Sequence, residues 1–235
     1  MLSLLMVLPF ACSPGSQETR SPAAPPTPEA PVKGSVVEVT HDPRDVAYWV
    51  SVLEGPERDA WQRPQHVLDL LGVSPGETVV DLGAGTGYFL APLSQAVGPR
   101  GRVLALEPES NFVAHMERRT AQEGLSNVEV RRIPYDDPLL DSQVDRVLVV
   151  NAWRHIEDRQ RYAGLLAGAL AAQGTLLVVD YDRDGSRGPA PELRLAAADV
   201  AEELRRSGFD VEIVDETLPD QFAVLAKRRA PPASR

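Results

Sequence analysis

Beyond Gln65 the chain alternates short runs of branched apolar residues with longer stretches whose apolar positions recur every three or four residues. These are the periods of buried strands and amphipathic helices. The short runs predict strands over Thr78 to Leu82, Val103 to Leu106, Val128 to Arg132, Val144 to Val150, Thr175 to Asp180, Val211 to Val214 and Phe222 to Ala226. The longer period predicts helices over Tyr88 to Val97, Ser110 to Glu123, Asp158 to Ala171 and Ala197 to Ser207, several closed by a glycine such as Gly98, Gly124, Gly174 or Gly208. Strands alternating with helices imply an α/β class with a mostly parallel sheet. The last two strands are joined by too few residues for a crossover helix and should pair antiparallel. The expectation is a doubly wound, seven-stranded, mostly parallel sheet with an antiparallel last strand.

Two segments fall outside this pattern. Leu2 to Phe10 is an apolar run followed by Ala11, Cys12, Ser13, Pro14 and Gly15, which resembles a bacterial lipoprotein signal. It is too short to span a bilayer as a helix. Residues 13–35 are rich in proline and small polar residues, a composition of an extended tether that buries too little apolar surface to order itself. The expected organisation is a signal segment over 1–12, the tether over 13–35, a folded domain over 36–228 and a tail over 229–235. Export with membrane attachment through an acylated Cys12 follows from that reading; an ordinary N-terminal tail, leaving the protein in the cytoplasm, is the alternative.

Composition narrows the chemistry. The net charge of −10 leaves no broad basic surface for nucleic-acid phosphates, so no nucleic-acid partner is expected. One cysteine and four histidines, without ligand spacing, predict neither an internal disulfide nor a metal site.

The informative motif is VVDLGAGTGYF, residues 79–89, where an apolar strand runs into Gly83, Gly85 and Gly87 ahead of a helix. Such a loop at the carboxyl end of the first strand is where doubly wound sheets bind nucleotides. Tyr88 occupies the position of the third glycine of a dinucleotide fingerprint, so the spacing is GxGxG. Asp81, two residues before the first glycine, opposes a diphosphate but suits a ligand carrying an ammonium and a sulfonium. Glu107, about 20 residues beyond the loop at the next strand end, can accept hydrogen bonds from both ribose hydroxyls.

On these residues the chain resembles the class I S-adenosylmethionine-dependent methyltransferases, over most of residues 55–228. The resemblance implies S-adenosyl-L-methionine as cofactor, with Asp81, Gly83, Ala84, Gly85, Gly87 and Tyr88 near its methionine end and Glu107 on its ribose. It also implies that Asp136 or Asp137 contacts the adenine, although an Asp before Pro138 is equally a turn former. In VLVVNAWRHIEDRQRY, residues 147–162, it places Asn151, Trp153 and His155 at the mouth of the site. His155 is alternatively a first-turn residue of the next helix. A pre-domain helix within residues 59–73 would carry Trp61 as a lid or, more simply, as core. The stretch Tyr181 to Gly188 reads as a loop beside the acceptor cleft.

Methyl transfer from a sulfonium needs alignment more than a nucleophilic side chain. His155 and Tyr181 are the candidates for a base where the acceptor must lose a proton. The sequence-level reading is a methyltransferase acting on a small-molecule acceptor. A cofactor-binding protein without turnover and a nucleotide-dependent oxidoreductase are the alternatives.

Overall fold

The computed structural model describes residues 45–215 and 218–229. The expected signal segment, Cys12 and the tether lie outside the described residues, as does the tail beyond Arg229.

Seven strands form one sheet: β1 (Thr78–Leu82), β2 (Arg102–Glu107), β3 (Val128–Arg132), β4 (Val144–Val150), β5 (Leu170–Tyr181), β6 (Phe209–Val214) and β7 (Gln221–Arg228), in the order β3-β2-β1-β4-β5-β7-β6. Every pairing is parallel except those of β7, which inserts antiparallel between β5 and β6. The predicted bounds of β1, β3 and β4 are those observed, and the other four strands are longer than predicted.

The central strands are buried on both faces and therefore read as unbroken apolar runs. Val80 and Leu82 of β1 face one side and join a core with Leu166 of α6 (Arg159–Ala169) and Val200 and Leu204 of α7 (Ala197–Arg206). Val79 faces the other side, against Val67, Leu68 and Leu71 of α3 (Pro64–Leu71) and Leu90, Leu93 and Val97 of α4 (Leu90–Val97). Met116 of α5 (Ser110–Glu123) closes that second layer. From β1 the chain winds outward through β2 to β3 on one side, then returns from β3 to β4 on the other side of β1. The crevice beyond the carboxyl ends of β1 and β4 is therefore the switch point at which such sheets take ligands.

Several local expectations differ from the structure. Residues 59–73 are not one helix: α2 (Arg58–Gln62) stops at Arg63, whose φ of 46° is left-handed, and α3 restarts with Pro64 at its first turn. Proline disfavours the helical region for the residue before it, which places the break there. A further helix, α1 (Val46–Leu53), precedes them. Gly174 does not stop a helix; α6 is capped by Leu170, the first residue of β5, and Gly174 lies within that strand. A Cβ there would sit 2.8 Å from the Leu170 side chain and 3.0 Å from the Ala171 carbonyl, so glycine answers a tight approach at a register shift between β4 and β5.

The loop after β5 is tied to Asp220, which accepts from the Ser186 amide and from Arg187, and is gathered from within by Arg194. Arg194 is 7% exposed and donates from Nε to the Pro189 carbonyl (2.7 Å) and from Nη1 to those of Asp182 (2.6 Å) and Gly185 (2.8 Å). An Arg194→Met variant is expected to lose about 2 to 3 kcal/mol in urea denaturation, the worth of charge-assisted bonds to buried backbone carbonyls. Tryptic cleavage after Arg187 should accelerate with it; an unchanged midpoint and cleavage rate would show that the loop holds itself.

Candidate functional site

The glycine loop begins as a continuation of the sheet. The Gly83 and Ala84 amides both donate to the Leu106 carbonyl, at 2.8 and 3.2 Å, before the chain turns away from β2. Gly83, Gly85 and Gly87 have φ of 71°, 56° and 89°, in the left-handed region that side chains rarely adopt. Their surroundings differ. A Cβ on Gly83 would come within 2.6 Å of Ala152 Cβ, and one on Gly87 within 2.7 Å of Leu90 Cδ1. On Gly85 it would meet only Leu53 Cδ1 at 3.8 Å and the Gly83 carbonyl at 4.0 Å. Gly83 and Gly87 are thus required by packing, whereas a Cβ on Gly85 would make only ordinary van der Waals contacts.

Glu107, 5% exposed at the end of β2, clasps the loop: Oε2 accepts from the Gly85 amide (2.8 Å) and Oε1 from the Glu109 amide (3.0 Å). Burial raises its pKa and these two bonds oppose the rise. Asp81 is 3% exposed at the end of β1, and its Oδ2 has no hydrogen-bond partner among the described residues. Burial pushes its pKa up to about 7, against the pull of Arg58 and with a smaller push from Glu107. A buried acceptor without a donor is costly, and one at a ligand crevice marks where a donor belongs.

Above the loop lies the segment from α1 to α2. Glu54 pairs with Arg119 of α5 at 2.8 Å, Asp59 accepts from the Tyr88 hydroxyl, and the Arg58 guanidinium stacks 3.8 Å from the centre of the Tyr88 ring. Tyr88 is thereby held by two residues of α2, and its own pKa is raised, first by burial. Arg58 and Asp59 were not picked out from the sequence. They lie at the start of the stretch that resembled a pre-domain helix, but nothing in the local pattern separates a buried arginine from a solvated one.

On the acceptor side, Asn151 follows β4 with a φ of 56°. Its Oδ1 accepts from Gln221 Nε2 (2.9 Å), and Gln221 Oε1 accepts from Gln62 Nε2 (2.8 Å), so a chain of amides, buried at Gln62 and Gln221, links α2 and β7 to the residue after β4. Arg154 Nη1 bonds Asp180 Oδ1 (3.1 Å) and the Asn151 carbonyl (2.9 Å). Asp180 is 2% exposed with Oδ2 unpartnered among the described residues, and burial raises its pKa. It was missed although it ends a predicted strand, the same signal that singled out Glu107.

Trp153 is not at the mouth of the site. It is fully buried in the core between sheet and helices, its indole Nε1 bonded to Glu203 of α7 at 3.1 Å. Trp61, expected as core, is half-buried with its ring 6.2 Å from that of Tyr181. Tyr181 packs its ring on Gly188, where a Cβ would come within 2.5 Å, and burial raises its pKa. His155 ends the 3-10 turn Trp153–His155, before α6 rather than inside it. Burial and the neighbouring Arg154 lower its pKa to about 4. Asp136 is exposed; Asp137 accepts the Leu139 amide at 2.8 Å, the turn-forming role weighed for it. Among the described residues, no group of three or more His, Cys, Asp or Glu could hold a metal ion.

The arrangement fits a cationic nucleoside. An unpartnered carboxylate oxygen lies under the loop, a Cβ on Gly85 would meet only ordinary van der Waals contacts, and Glu107 clasps the loop from the end of β2. A diphosphate would meet Asp81 and Glu107, both of the wrong charge.

Comparison with known proteins agrees. The family described as a methyltransferase domain matches residues 79–174. A solved S-adenosylmethionine-dependent methyltransferase from Aquifex aeolicus is similar at 28% identity with a TM-score of 0.73, over 80% of this chain and 98% of that one. The ubiquinone/menaquinone biosynthesis C-methyltransferase UbiE of Klebsiella pneumoniae is 27% identical over 52% of this chain and 49% of its own. An uncharacterised transposon protein of Streptomyces fradiae is 32% identical over 60% of this chain and 42% of its own. The chain spans about half the length of the curated relatives it matches. With its glycine loop at the switch point of a seven-stranded sheet whose inserted strand is antiparallel, the chain carries a methyltransferase domain over residues 79–174 on the fold of the class I S-adenosylmethionine-dependent methyltransferases.

Proposed function

We propose that this protein transfers the methyl group of S-adenosylmethionine to a small-molecule acceptor. The observation that carries the reading is the buried, unpartnered Oδ2 of Asp81 beneath a glycine loop that leaves room beside Gly85. The bound cofactor would supply an electrophilic methyl on a sulfonium; the chain's part is to hold and orient it and to keep water out. Asp81, Gly83, Ala84, Gly85, Gly87 and Tyr88 would flank the methionine end, Glu107 the ribose, and Asp136 or Asp137 the adenine. Asn151, anchored by Gln221, would face the reacting end.

Neither candidate base is tuned to neutral pH. A His155 imidazole titrating near 4 is a weak base, and a Tyr181 phenol raised by burial is rarely ionised. This favours an acceptor that already presents a lone pair, such as a thiolate or an amine. The same observation supports, as a second reading, a cofactor-binding protein without turnover.

Calorimetry with S-adenosylmethionine, S-adenosylhomocysteine and NAD tests the cofactor: saturable binding of NAD alone would reject the proposal. Donor consumption with a panel of quinols, thiols, arsenite and lipid extracts tests turnover, and a tight complex inert toward every acceptor would favour the second reading. Glu107→Ala is expected to weaken S-adenosylhomocysteine by about 1.5 to 3 kcal/mol, because a charged acceptor and the clasp on Gly85 go together. Equal affinity in that variant would place the ribose elsewhere. We further propose export with acylation of Cys12, on the apolar run before it. Palmitate label retained in a Cys12→Ser variant would defeat that.

A further inference from the structure

The end of the crevice nearest β4 is governed by a line of side-chain amides whose direction is fixed from one end. Arg58 carries donors and no acceptor, and its Nη2 reaches Gln62 Oε1 at 3.4 Å. Gln62 is fully buried, so turning its carboxamide over would set an NH2 against a guanidinium, donor on donor, with no water to separate them. Gln62 Nε2 therefore points away from Arg58 and donates to Gln221 Oε1 (2.8 Å), which leaves Gln221 Nε2 to donate to Asn151 Oδ1 (2.9 Å). Each carboxamide takes its orientation from the one before it. The relay ends on Asn151 with the carbonyl consumed and the NH2 left over: Nδ2 makes no hydrogen bond among the described residues, and Asn151 is half-buried.

That NH2 stands beside the ligand crevice. The Asn151 amide is bonded to the Val179 carbonyl of β5 (2.8 Å), and the next residue, Ala152, packs on the first glycine of the loop, 2.6 Å from where a Cβ on Gly83 would be. Tyr181 shares the face of β5 that carries Val179 and lies opposite Gln221 in the ladder. Its hydroxyl makes no hydrogen bond among the described residues, and burial, by raising its pKa, keeps it a donor. Arg187, which uses only Nη1 on Asp220 (3.1 Å), lies 5.8 Å from the centre of the Trp61 ring, itself 6.2 Å from that of Tyr181. Asp180, with its unmet acceptor oxygen, alternates to the opposite face, that of Leu176 and Val178 against α6 and α7. With Asp81 committed to the cofactor, the acceptor end offers donors. We propose that the Arg58, Gln62 and Gln221 relay holds the Asn151 NH2 toward the acceptor molecule, and that this molecule is gripped there by a carboxylate, separate from the atom that takes the methyl group. This rests on the methyltransferase reading above and names the class of acceptor. A carboxylate forms charge-assisted bonds to an NH2 and a phenol, whereas an ammonium or amidinium would meet only donors. Gln62 and Gln221 are positioning residues, acting on the acceptor through the orientation of Asn151.

Two measurements test the two halves. Neutron diffraction from crystals of the deuterated protein with S-adenosylhomocysteine distinguishes the nitrogen end of a carboxamide from the oxygen. It should show Gln221 donating to Asn151; Asn151 donating to Gln221 would overturn the relay. Benzoate and benzamidine then probe the polarity of the acceptor end, since they share a shape but the first only accepts hydrogen bonds and the second only donates them. Titrated by NMR into the protein saturated with S-adenosylhomocysteine, benzoate should bind about 20-fold more tightly than benzamidine, the worth of a charge-assisted bond. Gln221→Met removes the donor to Asn151, and Gln62→Met frees Gln221 to turn over without touching Asn151 itself. Each should bring the ratio below about threefold. A loss shared equally by both probes, with the ratio kept, would mean that the two glutamines only support the fold and would overturn their positioning role. Equal binding of the probes by wild type, a preference for benzamidine, or no benzoate binding up to its solubility would overturn the carboxylate. Failure of S-adenosylhomocysteine itself to bind would instead overturn the cofactor reading, and this inference with it.

Discussion

Valine at Gly85 should leave the chain folded and abolish binding of S-adenosylhomocysteine, whereas valine at Gly83, two residues earlier, should unfold it first. Both sites have left-handed backbone, at φ of 56° and 71°, so either substitution stores about 1 to 3 kcal/mol of strain. The difference is what the new side chain meets. At Gly83 it is driven into Ala152 Cβ, 2.6 Å from its own Cβ, in the segment that follows a central strand. Overpacking there adds about 1 to 3 kcal/mol, and together the two terms consume much of the stability of a typical domain. At Gly85 the nearest atom is a flexible Leu53 methyl at 3.8 Å, so the methyl groups of valine project into the space proposed for the ligand. Denaturant midpoints and calorimetry on both variants separate the outcomes. Wild-type affinity in a folded Gly85→Val would move the ligand away from the loop.

The second large effect is a stability gained at the cost of binding. Asp81 titrates near 7 in the folded chain and near 4 when unfolded, because burial penalises its charged form. The native state therefore holds this proton longer than the unfolded state, so stability falls as pH rises from about 4 to about 7 and stays lower above that. Forcing the buried carboxylate to ionise at pH 8 costs on the order of 4 kcal/mol. An Asp81→Asn variant is neutral throughout. It should match wild type near pH 4, be more stable by a few kcal/mol at pH 8, and no longer bind S-adenosylhomocysteine detectably. Wild-type binding at pH 6 should release a proton, seen as a dependence of the calorimetric heat on buffer ionisation enthalpy, because the ligand ammonium holds the carboxylate ionised. An Asp81→Asn protein less stable than wild type at pH 8 would refute this account. Such a trade of stability for function is expected where a site keeps a charge poised for its ligand.

The elements that the pattern located most sharply are those whose signals are strongest and most local. β1, β3, β4 and α5 have the predicted bounds, the first three as apolar runs between turn residues and α5 as a periodic stretch ended by Gly124. β5 was drawn too short because its first residues, Leu170 to Gly174, read as the end of a helix. What makes them strand is Leu170 lying opposite Val144 across a register shift, a contact outside the reach of any local window. Trp153 shows the same limit. An aromatic just beyond a strand end reads as a site residue, and only the approach of Glu203 from α7, fifty positions later, makes it core.

The sequence by itself determined the class of fold, the position of the glycine loop and the acidic strand ends, because hydropathy period, glycine spacing and charge sign are properties of neighbouring residues. Tertiary structure alone decided beside which glycine of the loop a Cβ would fit without a clash, that the Glu107 carboxylate clasps the Gly85 amide, and that Arg58 and Asp81 lie buried, each with one polar atom unmet. Those facts depend on side chains far apart in the chain meeting where water is excluded, and burial, which raises the pKa of an ordinary aspartate, has no local signature in a string of residues.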